Sequence, residues 1–569
     1  MKLTVNQLLE KAIIANQHNN LDEAERFYQK ILEIEPAHLV ANNNLAVILQ
    51  FKDKLDEAEF LYQKIIETQP THPDANHNLG ALKVSQNKIA DALPFFKIAL
   101  ESNSNIEQFY ISYGSTLIRE KKFKEAEAIY RKAIELEPKF FIIHFNLAVL
   151  LTKLGKLKEA EILYRKAITL KPEFVEAYNG LGNIFYQSNK LEEAEASYKK
   201  VIELKSDHAE AHNSLAATLH KLIRPKEAEE SLKKTLIINP KHVNALNNLG
   251  SIVMERGDYQ NAIDCYQKAL LVDPNSPVAH YNLGHIFYTE EKYKESILAL
   301  RQVNTKKSRD LILKCLYKLG DKSLFLKELD ERIKEGENNA NLGSLISRSE
   351  IKFETKRSNP FCGEPLKYAL KTDLTKEYDF KNIFVKPIKD TLKKSDISSK
   401  RQDLLTNGEQ TDGNLFNKKD DSLEKIKDII LLEVEKYRAH FKDSNEGFLK
   451  NWPTNFELKS WIINMKSGGK ISPHIHDNSW LSGSIYINVP PKLKTDSGNL
   501  VLSIINEPGF ERETKQNLRK IMDVVTGSLC FFPASLHHHT IPFESNEERT
   551  VLVFDVIPDD VATNSVDLN

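Results

Sequence analysis

Two histidines stand two positions apart in Pro473-His474-Ile475-His476, and a second histidine cluster closes Phe532-Pro533-Ala534-Ser535-Leu536-His537-His538-His539. An arginine, Arg549, follows ten residues later. Imidazole is a good ligand for iron, zinc, copper and nickel. On an extended strand, residues two apart point to the same face. His474 and His476 can therefore converge, while Asp477 points away. A metal held in a barrel needs two donors from one strand end and a third from a later, opposite strand, which His538 can supply. Histidine-rich loops are also common surface features. The second cluster, behind a Gly527-Ser528 to Phe532-Pro533 lead, favours the metal.

The surrounding residues must position these side chains. From Phe456 the apolar period becomes strand-like, and strands are expected at 458–465, 484–489, 498–504, 528–532 and 549–556. Short β-branched and aromatic runs between Gly, Pro, Asn and Ser turns suggest a compact all-β barrel or jelly roll. Residues 422–441 read as an amphipathic helix behind a capping serine, packed on its outside. Residues 390–421 have the composition of a linker.

The same residues carry a resemblance. Asn464, Pro473-His474-Ile475-His476, Leu481-Ser482-Gly483-Ser484-Ile485-Tyr486, Gly527-Ser528 to Phe532-Pro533, His538 and Arg549-Thr550-Val551 closely resemble the 2-oxoglutarate/Fe(II)-dependent oxygenases that occur fused to tetratricopeptide repeats in bacteria. Asn359-Pro360-Phe361-Cys362 and the segment from Gln402 through Leu404-Leu405-Thr406-Asn407-Gly408-Glu409 to Phe416 look like that family too. The resemblance covers about residues 355–560 and implies a double-stranded β-helix (jelly-roll) domain with flanking helices. It also implies that 390–421 is an ordered segment beside the active site. His474 would be the first iron ligand and His538 the distal one, chosen over His537 and His539 by the Phe-Pro lead. Arg549 would grip the far carboxylate of 2-oxoglutarate, its planar fork binding two oxygens; the bland alternative is a surface pair with Glu547 or Asp555. The implied cofactors are Fe(II), 2-oxoglutarate and O2, with ascorbate as a candidate addition. The wider superfamily uses His-x-Asp/Glu…His. This chain has His476 in the carboxylate's place, which makes the middle ligand and the metal's identity the weak point.

The first half of the chain differs in kind. Alanine recurs every 34 residues at Ala24, Ala58, Ala92, Ala126, Ala160, Ala194, Ala228 and Ala262, with Ser296 in the ninth place. An aromatic follows four residues later in most repeats, and proline closes them at Pro36, Pro70, Pro138, Pro172, Pro240 and Pro274. Small alanines let antiparallel helices approach, aromatics fill the gap to the next pair, and proline ends the helix. No pair can bury its own apolar face, so pairs must stack. The pattern resembles the tetratricopeptide repeat. Asn44, Asn78, Asn146, Asn248 and Asn282 share one repeat position. They resemble the asparagine ladder of the O-linked N-acetylglucosamine transferase repeats, which implies a groove that grips a protein or peptide backbone; generic packing is the alternative use.

The expected organisation is an all-α repeat solenoid over 1–310, capping helices and a junction over 311–350, and an oxygenase-like domain over 355–560. The β core of that domain is placed at about 456–558, before a short tail at 561–569. Lys+Arg 79 against Asp+Glu 80 leaves a net charge of −1, which gives no electrostatic reason to expect nucleic acid. Four scattered cysteines form no CxxC and fit a reducing compartment. The N-terminus lacks a signal-peptide pattern, and no uncharged apolar run is long enough to span a bilayer. The expected setting is cytoplasmic, with no membrane, and the oligomeric state stays open. The leading expectation is a 2-oxoglutarate-dependent hydroxylase acting on a protein or peptide recruited by the repeats. A three-histidine cupin-type dioxygenase, needing no 2-oxoglutarate, and a non-catalytic scaffold with a ligand-binding barrel are the alternatives.

Overall fold

The structure, a computed structural model, describes residues 3–393, 399–400, 404–418, 420–505 and 518–559. Gln402 and the tail at 561–569 lie outside the described residues. The chain divides into two compact units, Met1–Asp258 and Tyr259–Asn569.

In the first unit the repeats form successive helix pairs, beginning with α1 (Val5–Gln17) and α2 (Leu21–Ile34), and the second unit holds a further pair, α17 (Pro277–Thr289) and α18 (Tyr293–Leu300). All eight period alanines are fully buried, and so is Ser296 in the ninth place. The Ser296 hydroxyl donates to the Gly284 carbonyl at 2.7 Å, which satisfies a polar group where alanine would need none. The aromatics pack as the spacing predicts. A Cβ on Gly114 would lie 2.3 Å from the Tyr130 ring, so that contact requires glycine. The backbone has the same period. Asn19, Asp53, Asn87, Lys121, Gly155, Asn189, Ile223 and Glu291 all turn through the left-handed region between paired helices, and Gly257 keeps the same 34-residue period and the same conformation. Ile223 does so at φ 59°, a costly conformation for a β-branched residue.

In the second unit, α19 (Lys306–Leu319), α20 (Lys322–Lys334) and α21 (Ala340–Phe353) continue the helical part. Leu313, Leu316, Phe325, Leu329, Leu342 and Leu345 share one core there. The β domain follows. Its strands are β1 (Leu370–Asp373), β2 (Ser399–Lys400), β3 (Leu405–Thr411), β4 (Phe456–Ile471), β5 (Leu481–Asn488), β6 (Leu500–Ser503), β7 (Arg519–Met522), β8 (Ser528–Pro533), β9 (His537–Thr540) and β10 (Arg549–Pro558). A seven-stranded antiparallel sheet has the order β1-β8-β5-β10-β4-β3-β2, and a three-stranded one the order β7-β6-β9.

Alternation along β10 explains how the layers form. Leu552, Phe554 and Val556 face one way, into a core shared with Ile426, Ile430, Val434 and Tyr437. Those four come from the long helix Asp421–His440. Val551 and Val553 face the other way and pack with Leu500, Leu502 and Met522 of the small sheet. The result is a jelly-roll-like sandwich with a helix on its outer face. The glycine of Leu481-Ser482-Gly483 is required by this packing, because a Cβ there would lie 2.1 Å from the Phe554 ring.

Three local expectations change. The long helix is capped by Asp420, whose carboxylate accepts from the Ser422 and Leu423 N–H groups, and not by Ser422. The linker-like segment contributes β3, which pairs with β4. His474 and His476 lie just past the end of β4, where His474 makes a single antiparallel bridge to His538. No helix among the described residues is long and apolar enough to cross a membrane.

Candidate metal centre

Three extended pieces of backbone bring the histidines together. The bridge from His474 N to His538 O, with its reciprocal at 3.0 Å, ties the end of β4 to β9. His538 itself pairs with Leu502 in the small sheet. One nitrogen from each of His474, His476 and His538 then lies within 4.8 Å of the others. The Nε2 atoms of His474 and His476 are 3.2 Å apart.

Each ring has its other nitrogen engaged on the outside. His474 Nδ1 faces the Ser472 carbonyl at 2.9 Å, His538 Nδ1 faces the Leu536 carbonyl at 3.4 Å, and His476 Nδ1 faces Asp555 Oδ1 at 2.8 Å. A carbonyl or carboxylate oxygen can only accept here, so Nδ1 carries the proton and Nε2 keeps its lone pair. That is the outer support metal-binding imidazoles require. Burial and the neighbouring His476 push the His474 pKa down to about 4, and burial holds His538 well below the ordinary value. Neutral rings are the form a cation needs. His476 is different. Burial alone would lower it, but the charge and hydrogen bond of Asp555 outweigh that and raise it. The donor set therefore fits a divalent transition metal.

Asp555 was not anticipated as part of the site. It is buried, and it also accepts from the Ser482 hydroxyl at 2.7 Å. Its signal was present: Asp555 is the only charge inside Val551-Leu552-Val553-Phe554-Asp555-Val556, on the same strand parity as Arg549. Asp477 points away, as parity requires, and accepts from Lys314 Nζ at 2.6 Å.

Arg549 lies 1% exposed at the other end of β10. Its Nη2 donates to the Gly498 carbonyl at 2.8 Å and its Nη1 to Thr540 Oγ1 at 3.4 Å. Gly498 reaches that position with φ 73°. The guanidinium stands 5.1 Å over the Tyr486 ring, and its Nε has no partner. Among the described residues Arg549 makes no ion pair, so neither Glu547 nor Asp555 neutralises it. A buried cation left without an anion is costly. Arg549 and the three histidines line one cavity of about 410 Å³, with Trp461 and Leu405 in its walls. A dicarboxylate bridging the histidines and Arg549 would supply the missing charge, so the residues also fit 2-oxoglutarate.

His539 lines the same cavity, whereas His537 lines a different one. In the repeats, among the described residues, four of the five ladder amides, those of Asn44, Asn78, Asn248 and Asn282 but not Asn146, donate to protein partners. Asn44 Nδ2 donates to Tyr28 Oη and Asn282 Nδ2 to Tyr266 Oη. Asn78 and Asn248 donate to Asn43 and Asn213 of the preceding repeat, at 3.0 and 3.1 Å.

Comparison with known families agrees with this division. Residues 459–555 match the family described as "Putative 2OG-Fe(II) oxygenase". Residues 150–188, 182–222 and 250–290 match a TPR repeat family, and 15–76 and 117–165 a second tetratricopeptide family. None of the curated proteins matches the chain. Similar solved structures include MamA, at 22% identity and TM-score 0.27, over 28% of this chain and 94% of that one. YrrB, a TPR protein with an unusual peptide-binding site, is 25% identical with TM-score 0.28, over 34% and 97%. PilF of Pseudomonas aeruginosa is 18% identical with TM-score 0.32, over 34% and 90%. The chain thus joins tetratricopeptide repeats to a C-terminal domain of the 2OG-Fe(II) oxygenase family.

Proposed function

We propose that the protein is a 2-oxoglutarate- and Fe(II)-dependent dioxygenase that hydroxylates a protein or peptide recruited by the repeat array. The observation that carries this reading is the pairing of three outward-anchored imidazoles with an unneutralised, buried Arg549 in one cavity. When bound, iron and 2-oxoglutarate supply O2 activation, with loss of CO2 to give succinate and oxidation of a substrate C–H.

The residues do the rest. His474, His476 and His538 hold the metal through Nε2. Asp555, itself held by Ser482, orients His476 and offsets positive charge that a third neutral ligand leaves uncompensated. Arg549 binds the distal carboxylate, with Gly498 and Thr540 fixing its fork. Val551, Val553 and Ile463 keep that end of the cavity dry. The buried Arg549 favours this reading over a cupin-type dioxygenase, which has no use for a second anion site. Asparagines of the repeat ladder would present amide hydrogens to a peptide backbone beyond those they give their neighbours. A cytoplasmic setting is part of this reading, since Cys315, Cys362 and Cys530 are buried free thiols of the kind a reducing compartment keeps.

Anaerobic titration of the full chain with Fe(II) and then 2-oxoglutarate tests the reading. The expected result is a visible charge-transfer band that disappears in Arg549→Ala, with 2-oxoglutarate affinity reduced by about 100-fold or more. The absence of any band in the wild type, or a band indifferent to Arg549, would sink it.

A further inference from the structure

A second cavity, of about 240 Å³, lies on the other side of His474. Helices α19 and α21 form one wall through Lys314, Tyr317, Lys318, Leu345 and Arg348, and the segment carrying His474 and Asp477 forms another, with His537 beside it. His474 is therefore a wall of both cavities.

The charges in it are unbalanced. Arg348 is 9% exposed and stands 4.9 Å over the Tyr317 ring. Among the described residues it has no hydrogen bond or ion pair, and its Nε is buried without a partner. The one carboxylate in the lining, Asp477, is committed through Oδ2 to Lys314 at 2.6 Å. Its Oδ1 is buried and accepts nothing. Lys318 lines the exposed rim. A buried guanidinium with no anion is costly unless a ligand completes it. The fork of Arg348 suits a carboxylate or a phosphate, and Asp477 Oδ1 beside it suits an N–H or O–H donor on the same ligand.

We propose that this cavity is an oxyanion-binding site, anchored by Arg348, that holds the carboxylate or phosphate of the molecule presented to the histidine centre. That the anion belongs to the substrate rests on the oxygenase reading; the binding itself does not. The chemistry selects an acidic ligand with a neighbouring donor, as an acidic residue in a peptide provides.

Calorimetric titration of the full chain with inorganic phosphate, with acetyl-Ala-Glu-Ala-amide and with its glutamine counterpart tests this. Phosphate and the acidic peptide should bind, and the glutamine peptide should not. Arg348→Gln should weaken both by about tenfold or more. Lys318→Glu, which reverses the charge on the exposed rim, should weaken both several-fold, and it carries the test if Arg348→Gln does not fold. Binding of the acidic peptide alone would assign the anion to a polypeptide, and binding of phosphate alone to a small free anion. Failure of both to bind the wild type, or affinities unchanged in the two variants, would overturn the proposal. Phosphate binding should survive Arg549→Ala. If phosphate binds but no Fe(II)/2-oxoglutarate band forms, the oxygenase reading falls and the anion site stands.

Discussion

The repeat helices and the β domain solve the burial of polar groups in opposite ways. In the repeats the solutions are short-range and periodic. Asn42 Nδ2 donates to the Pro36 and His38 carbonyls, and Asn76 does the same to Pro70 and His72 one repeat later. His38, His72, His208 and His242 each cap a helix through Nδ1. In the β domain the partners are distant in sequence. Asp555 meets His476 across 79 residues, and Arg549 meets Gly498 across 51. Around its cavities the atoms without a protein partner include Arg549 Nε, Arg348 Nε, Asp477 Oδ1 and His537 Nδ1. Periodic local satisfaction builds a scaffold, whereas long-range satisfaction with a deliberate deficit builds a place for ligands.

Acid should separate the two regions most. His474 titrates at about 4 in the folded protein, against about 6.5 when unfolded, and His537 at about 3. The folded pKa lies below the unfolded one, so the unfolded chain takes up protons that the folded chain refuses. Stability is then full above about pH 6.5 and declines as pH falls towards 4, by on the order of 3 kcal/mol for each of the two rings. All three tryptophans, Trp452, Trp461 and Trp480, belong to the β domain. Tryptophan fluorescence of the metal-free protein should report that loss, and Zn(II) should suppress it. A transition flat from pH 7 to 4 would contradict neutral, buried rings.

Asp555→Asn keeps the shape of the site and removes its charge. Fe(II) affinity should drop by about 10–100-fold, with the helical circular dichroism unchanged. The same small change made in both regions sharpens the contrast further. Gly483→Ala drives a methyl into the Phe554 ring and should destabilise the β domain by about 2 kcal/mol in denaturant titration followed by tryptophan. Gly114→Ala meets Tyr130 just as closely. Alanine there regains about 1 kcal/mol of helix propensity and the strain stays within neighbouring repeats, so the net loss should be under about 1 kcal/mol. Equal losses would mean that the two regions do not differ in how they absorb strain.

Legibility in the sequence followed the same divide. The 34-residue alanine period identified the helix pairs directly, because each repeat meets the same neighbours. Strands with alternating apolar residues, such as β5 and β10, were also readable. β3 was not, since Leu405-Thr406-Asn407-Gly408-Glu409-Gln410-Thr411 is polar and gains its order from pairing with β4 and β2. β9 was read as a histidine cluster and not as a strand, because His537-His538-His539 has no apolar alternation. Parity put His474 and His476 on one face, and the resemblance singled out His538; the three lie together in the structure. The support by Asp555 was not readable, since one buried charge in an apolar strand does not reveal what it touches. The cavity beside Arg348 was equally hidden, because it exists only where helices distant in sequence meet the β domain.

The placement of Asp555 behind His476 has a further consequence. A carboxylate bound directly to a metal can swing between one and two oxygens, and so change the coordination number during turnover. An imidazole offers one lone pair in one direction. With its carboxylate one ring removed, a metal held by these rings would gain the negative charge without that freedom, and any change in its coordination number would have to come from the ligands that enter and leave the cavity.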